Sequence, residues 1–121
     1  MKYQVVHRYV NGVKVNALYD TDYKDYYVTE DGDVYSTRRN KIHKLKKCKQ
    51  SKGYDVVWID GKPRLVQRLM GNAFLGLDLN SKLQMNHINK VKRDNTLSNL
   101  EVVTNKQNAR HRDGHADYKS A

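Results

Sequence analysis

Short segments of alternating apolar and polar residues fill the first half of this chain, and turn signals separate them. Asn-Gly or Asp-Gly pairs lie at positions 11–12, 31–32 and 60–61, each between two segments rich in valine, tyrosine or isoleucine. Such pairs favour the two-residue turns that join antiparallel strands. Each of the three pairs therefore predicts a β-hairpin.

The apolar spacing changes after the third hairpin. Within residues 67–75, apolar residues recur with the period of a helix, which predicts a short helix with one buried face; these residues are Leu69, Met70, Ala73 and Phe74. Residues 83–87 and 101–103 are typical of two further strands. Thr104 and Gln107 have the spacing of a capping box, so a second helix is expected to begin after Thr104. This order of elements predicts an α+β fold.

Length, cysteine usage and hydropathy limit the class of protein. The 121 residues are enough for one domain with one core, and with a single proline, Pro63, the chain shows no linker. The lone Cys48 cannot form an intramolecular disulfide, which favours a reducing compartment. No apolar run is long enough for a membrane span or typical of a secretory signal. We therefore expect a cytoplasmic location.

The charge of the chain favours a polyanionic partner. The 23 Lys and Arg residues outnumber the 13 Asp and Glu residues, which gives a formal net charge of +10. No acidic residue lies between Val34 and Tyr54, and this basic run contains Arg38, Arg39, Lys41, Lys44, Lys46, Lys47, Lys49 and Lys52. We expect the run to contact nucleic-acid phosphates. A solvated charged surface is the alternative, and an anionic membrane is disfavoured because the basic residues lie among strand-like segments.

Residues 85–110 contain the groups that phosphodiester hydrolysis needs. An imidazole with an ordinary pKa of about 6.5 can take a proton from water, so His87 is the candidate base. The amide oxygens of Asn86 and Asn108 are hard ligands that suit Mg²⁺ or Mn²⁺, with help from waters and phosphate oxygens. Asn99 is expected to close the loop by hydrogen bonds to its backbone. Taken singly, His87 would be a structural histidine and each asparagine a turn or cap residue.

Together these residues resemble the HNH endonucleases, in particular the homing type encoded by phages and introns. The matching positions are Asn86–His87–Ile88, Asp94–Asn95, Asn99–Leu100–Glu101, Val103–Thr104 and Asn108. Upstream, residues 27–36 are similar to the modular DNA-binding motif that often precedes this nuclease. Residues 66–69 and 73–75 are similar to its connecting helix.

The resemblance implies N-terminal β-hairpins packed on a C-terminal ββα-metal (HNH) motif. It implies a β-hairpin DNA-binding region at residues 1–66, a nuclease region with its connecting helix at 67–112, and a polar tail at 113–121. Within the nuclease region, the general base would be His87. One divalent ion, Mg²⁺ or Mn²⁺, would be held by Asn86 and Asn108, and the loop between the strands would be braced by Asn99.

Three departures from the family pattern affect this site. Asn89 and Lys90 stand where the family usually carries Asp-Gly, which is expected to move the loop or its turn. Asn86 stands where several members carry Asp, and the amide removes one negative charge from the metal site. Arg112 stands where related toxin nucleases carry a further histidine. Arg112 cannot bind a metal, but it lies one helical turn after Asn108 and would clamp the scissile phosphate.

We therefore expect an enzyme that hydrolyses phosphodiester bonds in double-stranded DNA and nicks one strand. It would act as a monomer or weak dimer in the cytosol, which would be that of the host cell if a phage encodes it. Arg38, Arg39 and the lysines that follow would grip the DNA backbone. The first alternative is an HNH-fold DNA-binding protein with weak or no catalysis. The second is a basic RNA-binding or ribosome-associated protein, which leaves the spacing of His87, Asn99 and Asn108 unexplained.

Overall fold

Antiparallel strands and one helix make up the part of the chain that the structure describes. This computed structural model describes residues 8–10, 13–15, 17–38 and 41–104. In chain order the elements are β1 (Arg8–Val10), β2 (Val13–Val15), β3 (Tyr19–Asp20), β4 (Tyr26–Val28), β5 (Val34–Ser36), β6 (His43–Lys44), β7 (Cys48–Lys49), β8 (Asp55–Ile59), β9 (Lys62–Leu65), α1 (Val66–Phe74), β10 (Gln84–His87) and β11 (Leu100–Val103).

The three predicted hairpins are confirmed. β1 pairs with β2, β4 with β5 and β8 with β9, all antiparallel. The second hairpin belongs to a four-stranded sheet of order β3-β4-β5-β6, and the third to a three-stranded sheet of order β7-β8-β9. Pro63 lies in β9, which is the edge of its sheet, where a residue without a backbone N–H is tolerated. Strands β6 and β7 were not predicted, and both lie within the basic run.

Helix α1 joins the sheets into one core. The predicted helix at residues 67–75 is confirmed, one residue earlier than expected, and its apolar face is buried through Val66, Leu69, Met70, Ala73 and Phe74. The helix contacts β3, β4, β8, β9, β10 and β11. It therefore contacts the four-stranded sheet, the three-stranded sheet and the last hairpin. The described part of the chain holds no helix long and apolar enough to cross a membrane.

The last two strands form the hairpin that carries the candidate site. β10 and β11 pair antiparallel, with Asn86 opposite Glu101 and His87 opposite Leu100. Both strands were predicted, and their bounds differ from the expectation by one residue each. The connecting loop, residues 88–99, ends in a single 3-10 turn at Leu97–Asn99. The fold is therefore α+β as predicted; the helix expected after Thr104 lies outside the described residues.

The turn of the second hairpin packs on this loop. The backbone N–H of Leu97 donates to the carbonyl of Glu30 at 2.8 Å. Gly32 has a φ of +87°, and a Cβ atom on it would lie 2.7 Å from the carbonyl oxygen of Asn95. A side chain is excluded here by both backbone conformation and space. We name the segment Glu30–Gly32 the docking turn.

Candidate active site

His87 is the last residue of β10 and is held on two sides. Its side chain is buried, with 5% of its surface exposed. Nε2 lies 2.8 Å from the side-chain oxygen Oδ1 of Asn95, within hydrogen-bond distance. The ring also stacks on that of Tyr54, with 5.6 Å between the centroids and 25° between the planes. The imidazole therefore has a fixed position and orientation.

The surroundings of His87 favour its neutral form. Burial lowers the pKa of the imidazole below its ordinary value, because the charged ring would lose hydration. The hydrogen bond with Asn95 and the charge of Asp94 act in the opposite direction, and burial has the larger effect. A neutral imidazole at neutral pH can accept a proton, which is what a general base requires.

Asn99 closes the loop that follows His87. Its Oδ1 accepts a hydrogen bond from the backbone N–H of Asn89 at 2.9 Å. Its Nδ2 donates to Oδ1 of Asn89 and to the carbonyl of Asp94, both at 2.9 Å. Asn89 Nδ2 in turn donates to Asp94 at 2.9 Å. Hydrogen bonds from Thr96 and Asn89 lower the pKa of the Asp94 carboxyl. Both ends of the loop are thus tied together by one buried amide.

Asn86 lies beside a buried carboxylate. Its Nδ2 donates to Oε1 of Glu101 at 2.9 Å, across the strand pair. Both side chains are buried, at 5% and 6% exposure. Amide and carboxylate oxygens are the donors that a hard divalent cation prefers, so this pair fits such an ion better than a lone amide does. In residues 8–104, as far as they are described, there is no cluster of three or more His, Cys, Asp or Glu side chains around one point.

Three predicted site residues fall where the structure gives no description. Asn108, the expected helical ligand, and Arg112, the expected phosphate clamp, follow the last described residue, Thr104. Arg39, from the basic run, is also among the residues that are not described. Their roles stay predictions.

Several predicted DNA contacts are in ion pairs within the protein. Arg38 pairs with Asp60 at 2.8 Å. Lys44 and Lys47 both pair with Asp33, at 3.4 and 3.0 Å. The remaining described members of the basic run are exposed: Lys41, Lys46, Lys49 and Lys52. The Arg38–Asp60 pair is more than half-exposed on both sides, so it is weak and can exchange for phosphate contacts, whereas Lys47 and Asp33 are each only about a quarter exposed.

Two basic residues of the loop after His87 contact neighbours of the candidate base. Lys92 places its Nζ 5.2 Å from the centre of the Tyr54 ring, the same ring that stacks on His87. Lys92 also donates to the carbonyl of Lys52 at 2.9 Å. Arg93 donates to the buried Asp55 at 2.6 Å. The loop therefore carries positive charge to Tyr54 and Asp55.

Sequence reasoning gave no role to Asn95, Tyr54, Glu101 or Lys92. Asn95 belongs to the quoted family pattern, but nothing in the sequence shows that its side chain meets an imidazole. Glu101 was recoverable, because pairing the two predicted strands places it opposite Asn86. Tyr54 had no local signal, since its contact with His87 depends on how distant segments pack.

Comparison with known proteins places the site in a family. Residues 64–110 match the family model of the HNH endonucleases. The chain is 34% identical over 102 residues to an uncharacterized HNH endonuclease, L245, of Acanthamoeba polyphaga mimivirus, covering 81% of this chain and 30% of the relative. It is also similar to the solved structure of the HNH homing endonuclease I-HmuI, with a TM-score of 0.61 and 28% identity over 79% of this chain and 56% of that one.

This chain therefore spans less than a third of the mimivirus relative and just over half of the solved chain. The matched segment contains β10, β11, the loop between them and helix α1. The family model, the viral relative and the shared fold confirm the resemblance found in the sequence, and residues 64–110 of this chain belong to the HNH endonuclease family.

Proposed function

We propose that this protein is a metal-dependent endonuclease that hydrolyses phosphodiester bonds in double-stranded DNA. The observation that carries the proposal is the state of His87: a buried imidazole with a lowered pKa, fixed between Asn95 and Tyr54 inside a segment of the HNH family. The solved structure of I-HmuI, to which this fold is similar, concerns DNA binding and cleavage. The net charge of +10 supports a polyanionic substrate.

In this proposal His87 accepts the proton of the attacking water. Asn86 and Asn108 hold one divalent ion, Mg²⁺ or Mn²⁺, and the Glu101 carboxylate beside Asn86 adds the negative charge that the amide lacks. When bound, such an ion neutralises charge on the phosphate and the leaving oxygen. Asn99 keeps the loop closed so that His87 holds its position.

Substrate contacts come from the basic residues. We propose that the basic run grips the DNA backbone and that Arg112 contacts the scissile phosphate. One catalytic site per chain would cut one strand, so a monomer would nick the duplex. A weak dimer would place two sites on one duplex, and we expect the protein to act in the cytosol.

A plasmid assay tests the activity. Supercoiled plasmid is incubated with the protein in Mg²⁺, Mn²⁺ or EDTA, and relaxed and linear products are separated on a gel. We expect relaxed circles with either metal and none with EDTA. Linear product at early times would indicate paired active sites and contradict the nicking proposal.

The variant His87→Ala tests the base. It is expected to abolish nicking and to leave DNA affinity in a band-shift assay nearly unchanged. His43→Ala is the matched control, since it removes an imidazole from β6, outside the HNH segment. Because β6 lies in the basic run, any effect should be on DNA affinity, and the variant should nick at the parent rate when the DNA is saturated with protein. If His87→Ala also nicks at the parent rate, His87 is not the general base.

The presence of Asn86 favours one other function. An amide in place of a carboxylate weakens metal binding, so the same fold would serve a DNA-binding protein with little or no turnover. Such a protein would shift DNA with a steep salt dependence and be indifferent to chelator. Unchanged plasmid in every metal condition, together with intact band-shift binding, would favour this function over hydrolysis.

A further inference from the structure

Asn95 is a buried polar residue that uses only part of its hydrogen-bonding capacity. Its side chain is 3% exposed, and Oδ1 lies 2.8 Å from Nε2 of His87. Among the residues that the structure describes, its Nδ2 has no hydrogen-bond partner. A buried amide with an unpaired donor costs stability, and an apolar side chain would avoid that cost. The amide is nevertheless the hydrogen-bond partner of the buried His87 Nε2, so its oxygen fixes how the imidazole ring is held.

The two tautomers of neutral His87 make this contact in different ways. If Nε2 carries the proton, it donates to the Asn95 oxygen, and Nδ1 keeps a free lone pair. If Nδ1 carries the proton, Nε2 is an acceptor and would need the Asn95 amide nitrogen facing it. In the second arrangement neither ring nitrogen is left to take a proton from water. Only the first arrangement leaves a base.

We propose that Asn95 is a positioning residue that accepts a hydrogen bond from Nε2–H of His87 and so makes Nδ1 the nitrogen that receives the proton from water. This inference rests on the proposed role of His87 as general base. In this proposal Asn95 acts on the reaction through His87. It acts by selecting the tautomer and by fixing the plane of the ring, which Tyr54 supports from its face.

The docking turn keeps Asn95 in place. Gly32 lies against the backbone of Asn95 so closely that an added Cβ would lie 2.7 Å from its carbonyl oxygen. Two residues further on, Leu97 donates its N–H to Glu30 at 2.8 Å. On the other side, Asn99 donates to the carbonyl of the preceding residue, Asp94, at 2.9 Å. The backbone on both sides of Asn95 is thus fixed, which is what a positioning role requires.

Nitrogen-15 NMR of the full chain tests the assignment without any activity measurement. At about pH 8 an imidazole with an ordinary pKa is neutral, and the shifts of its two ring nitrogens identify the tautomer. We expect His87 to carry its proton on Nε2 and to show an Nε2–H resonance that exchanges slowly with water. A proton on Nδ1 in the parent protein would overturn the proposal, and this result needs no variant.

Two substitutions at residue 95 distinguish a side chain that accepts a hydrogen bond from His87 from one that only fills the space. Asn95→Leu removes the acceptor; we expect the slow Nε2–H resonance to vanish and kcat to fall about 10- to 100-fold, with KM for DNA unchanged. Asn95→Asp keeps an oxygen acceptor but cannot donate, so it should retain the Nε2–H resonance and a kcat above that of the leucine variant. Ser98→Ala, an exposed change in the same loop, is the control and should leave both readouts unchanged.

The outcomes distinguish this proposal from the proposed function. An Nε2–H resonance that persists in Asn95→Leu would overturn the positioning role. A switch of the proton from Nδ1 in the parent to Nε2 in Asn95→Asp would show that the asparagine is a donor and would overturn it as well. If the parent shows the expected resonance but nicks no plasmid, the contact is confirmed and the hydrolytic function is what fails.

Discussion

Removal of the Asn99 side chain should loosen the loop that holds the candidate base. In Asn99→Ala the loop loses three hydrogen bonds, one accepted from Asn89 and two donated to Asn89 and Asp94. The backbone bonds of residue 99, to Ile88 and Thr96, do not depend on the side chain and remain. The strand pair should therefore persist while the loop opens.

The size of the effect follows from these contacts. A typical intramolecular hydrogen bond contributes about 1 kcal/mol net. Asn89 is exposed, so water replaces part of what its two groups lose, whereas Asn99 itself is 8% exposed. We expect the free energy of unfolding to fall by about 2 kcal/mol. We also expect kcat for nicking to fall more than DNA affinity does, because the loop carries Asn95.

Urea denaturation followed by circular dichroism measures this change. The matched control is Asn80→Ala, an exposed asparagine whose backbone N–H, and not its side chain, bonds to Asp78. That control should change the free energy of unfolding by less than about 0.5 kcal/mol. A loss in Asn99→Ala no larger than that of the control would refute the bracing role assigned to Asn99.

Three further predictions concern neighbouring contacts. Gly32→Ala should destabilise the protein by about 1 to 2 kcal/mol from its positive φ alone, and by more where its Cβ meets Asn95; thermal unfolding would detect this, and an unchanged melting temperature would contradict it. The folded-state pKa of His87 lies below the unfolded value of about 6.5, so the unfolded chain binds the proton first and stability is lost as pH falls below that value. Urea titrations at several pH values should show this loss reduced in His87→Gln. Arg93→Ala should cost about 1 to 2 kcal/mol, less than breaking a fully buried pair, because Asp55 is buried but Arg93 is half-exposed; a loss that disappears in high salt would indicate only a surface pair.

Local chemistry made much of this fold predictable. The Asn-Gly and Asp-Gly pairs identified three hairpins because the backbone of such turns accepts few other residues. The spacing of Leu69 and Phe74 identified helix α1 to within one residue at each end. The spacing of His87 and Asn99 marked both as candidates. The hydrogen bonds of Asn99 agree with the loop-closing contacts expected of it, and the role of His87 as base stays a prediction.

Contacts between distant segments were not predictable in the same way. The stacking of Tyr54 on His87 and the packing of Gly32 on Asn95 depend on how whole sheets meet at helix α1. The basic run was predicted to contact nucleic-acid phosphates. In the structure, however, Lys47 is paired with Asp33, which lies in the turn between β4 and β5. A single sequence gives the sign of each charge but not the partner that the fold brings to it.

The docking turn makes the hairpin that carries His87 depend on a part of the chain outside the family segment. Glu30 and Gly32 precede residue 64, where the family match begins, and they form one wall of the loop that carries Asn95. A fragment that starts at residue 64 would expose the loop surface that Glu30 and Gly32 cover, and it would lose the contacts that hold Asn95 beside His87. Residues 64–110 are therefore not an independent unit. If they were transferred into another protein, the hairpin that contains the docking turn would have to be transferred with them.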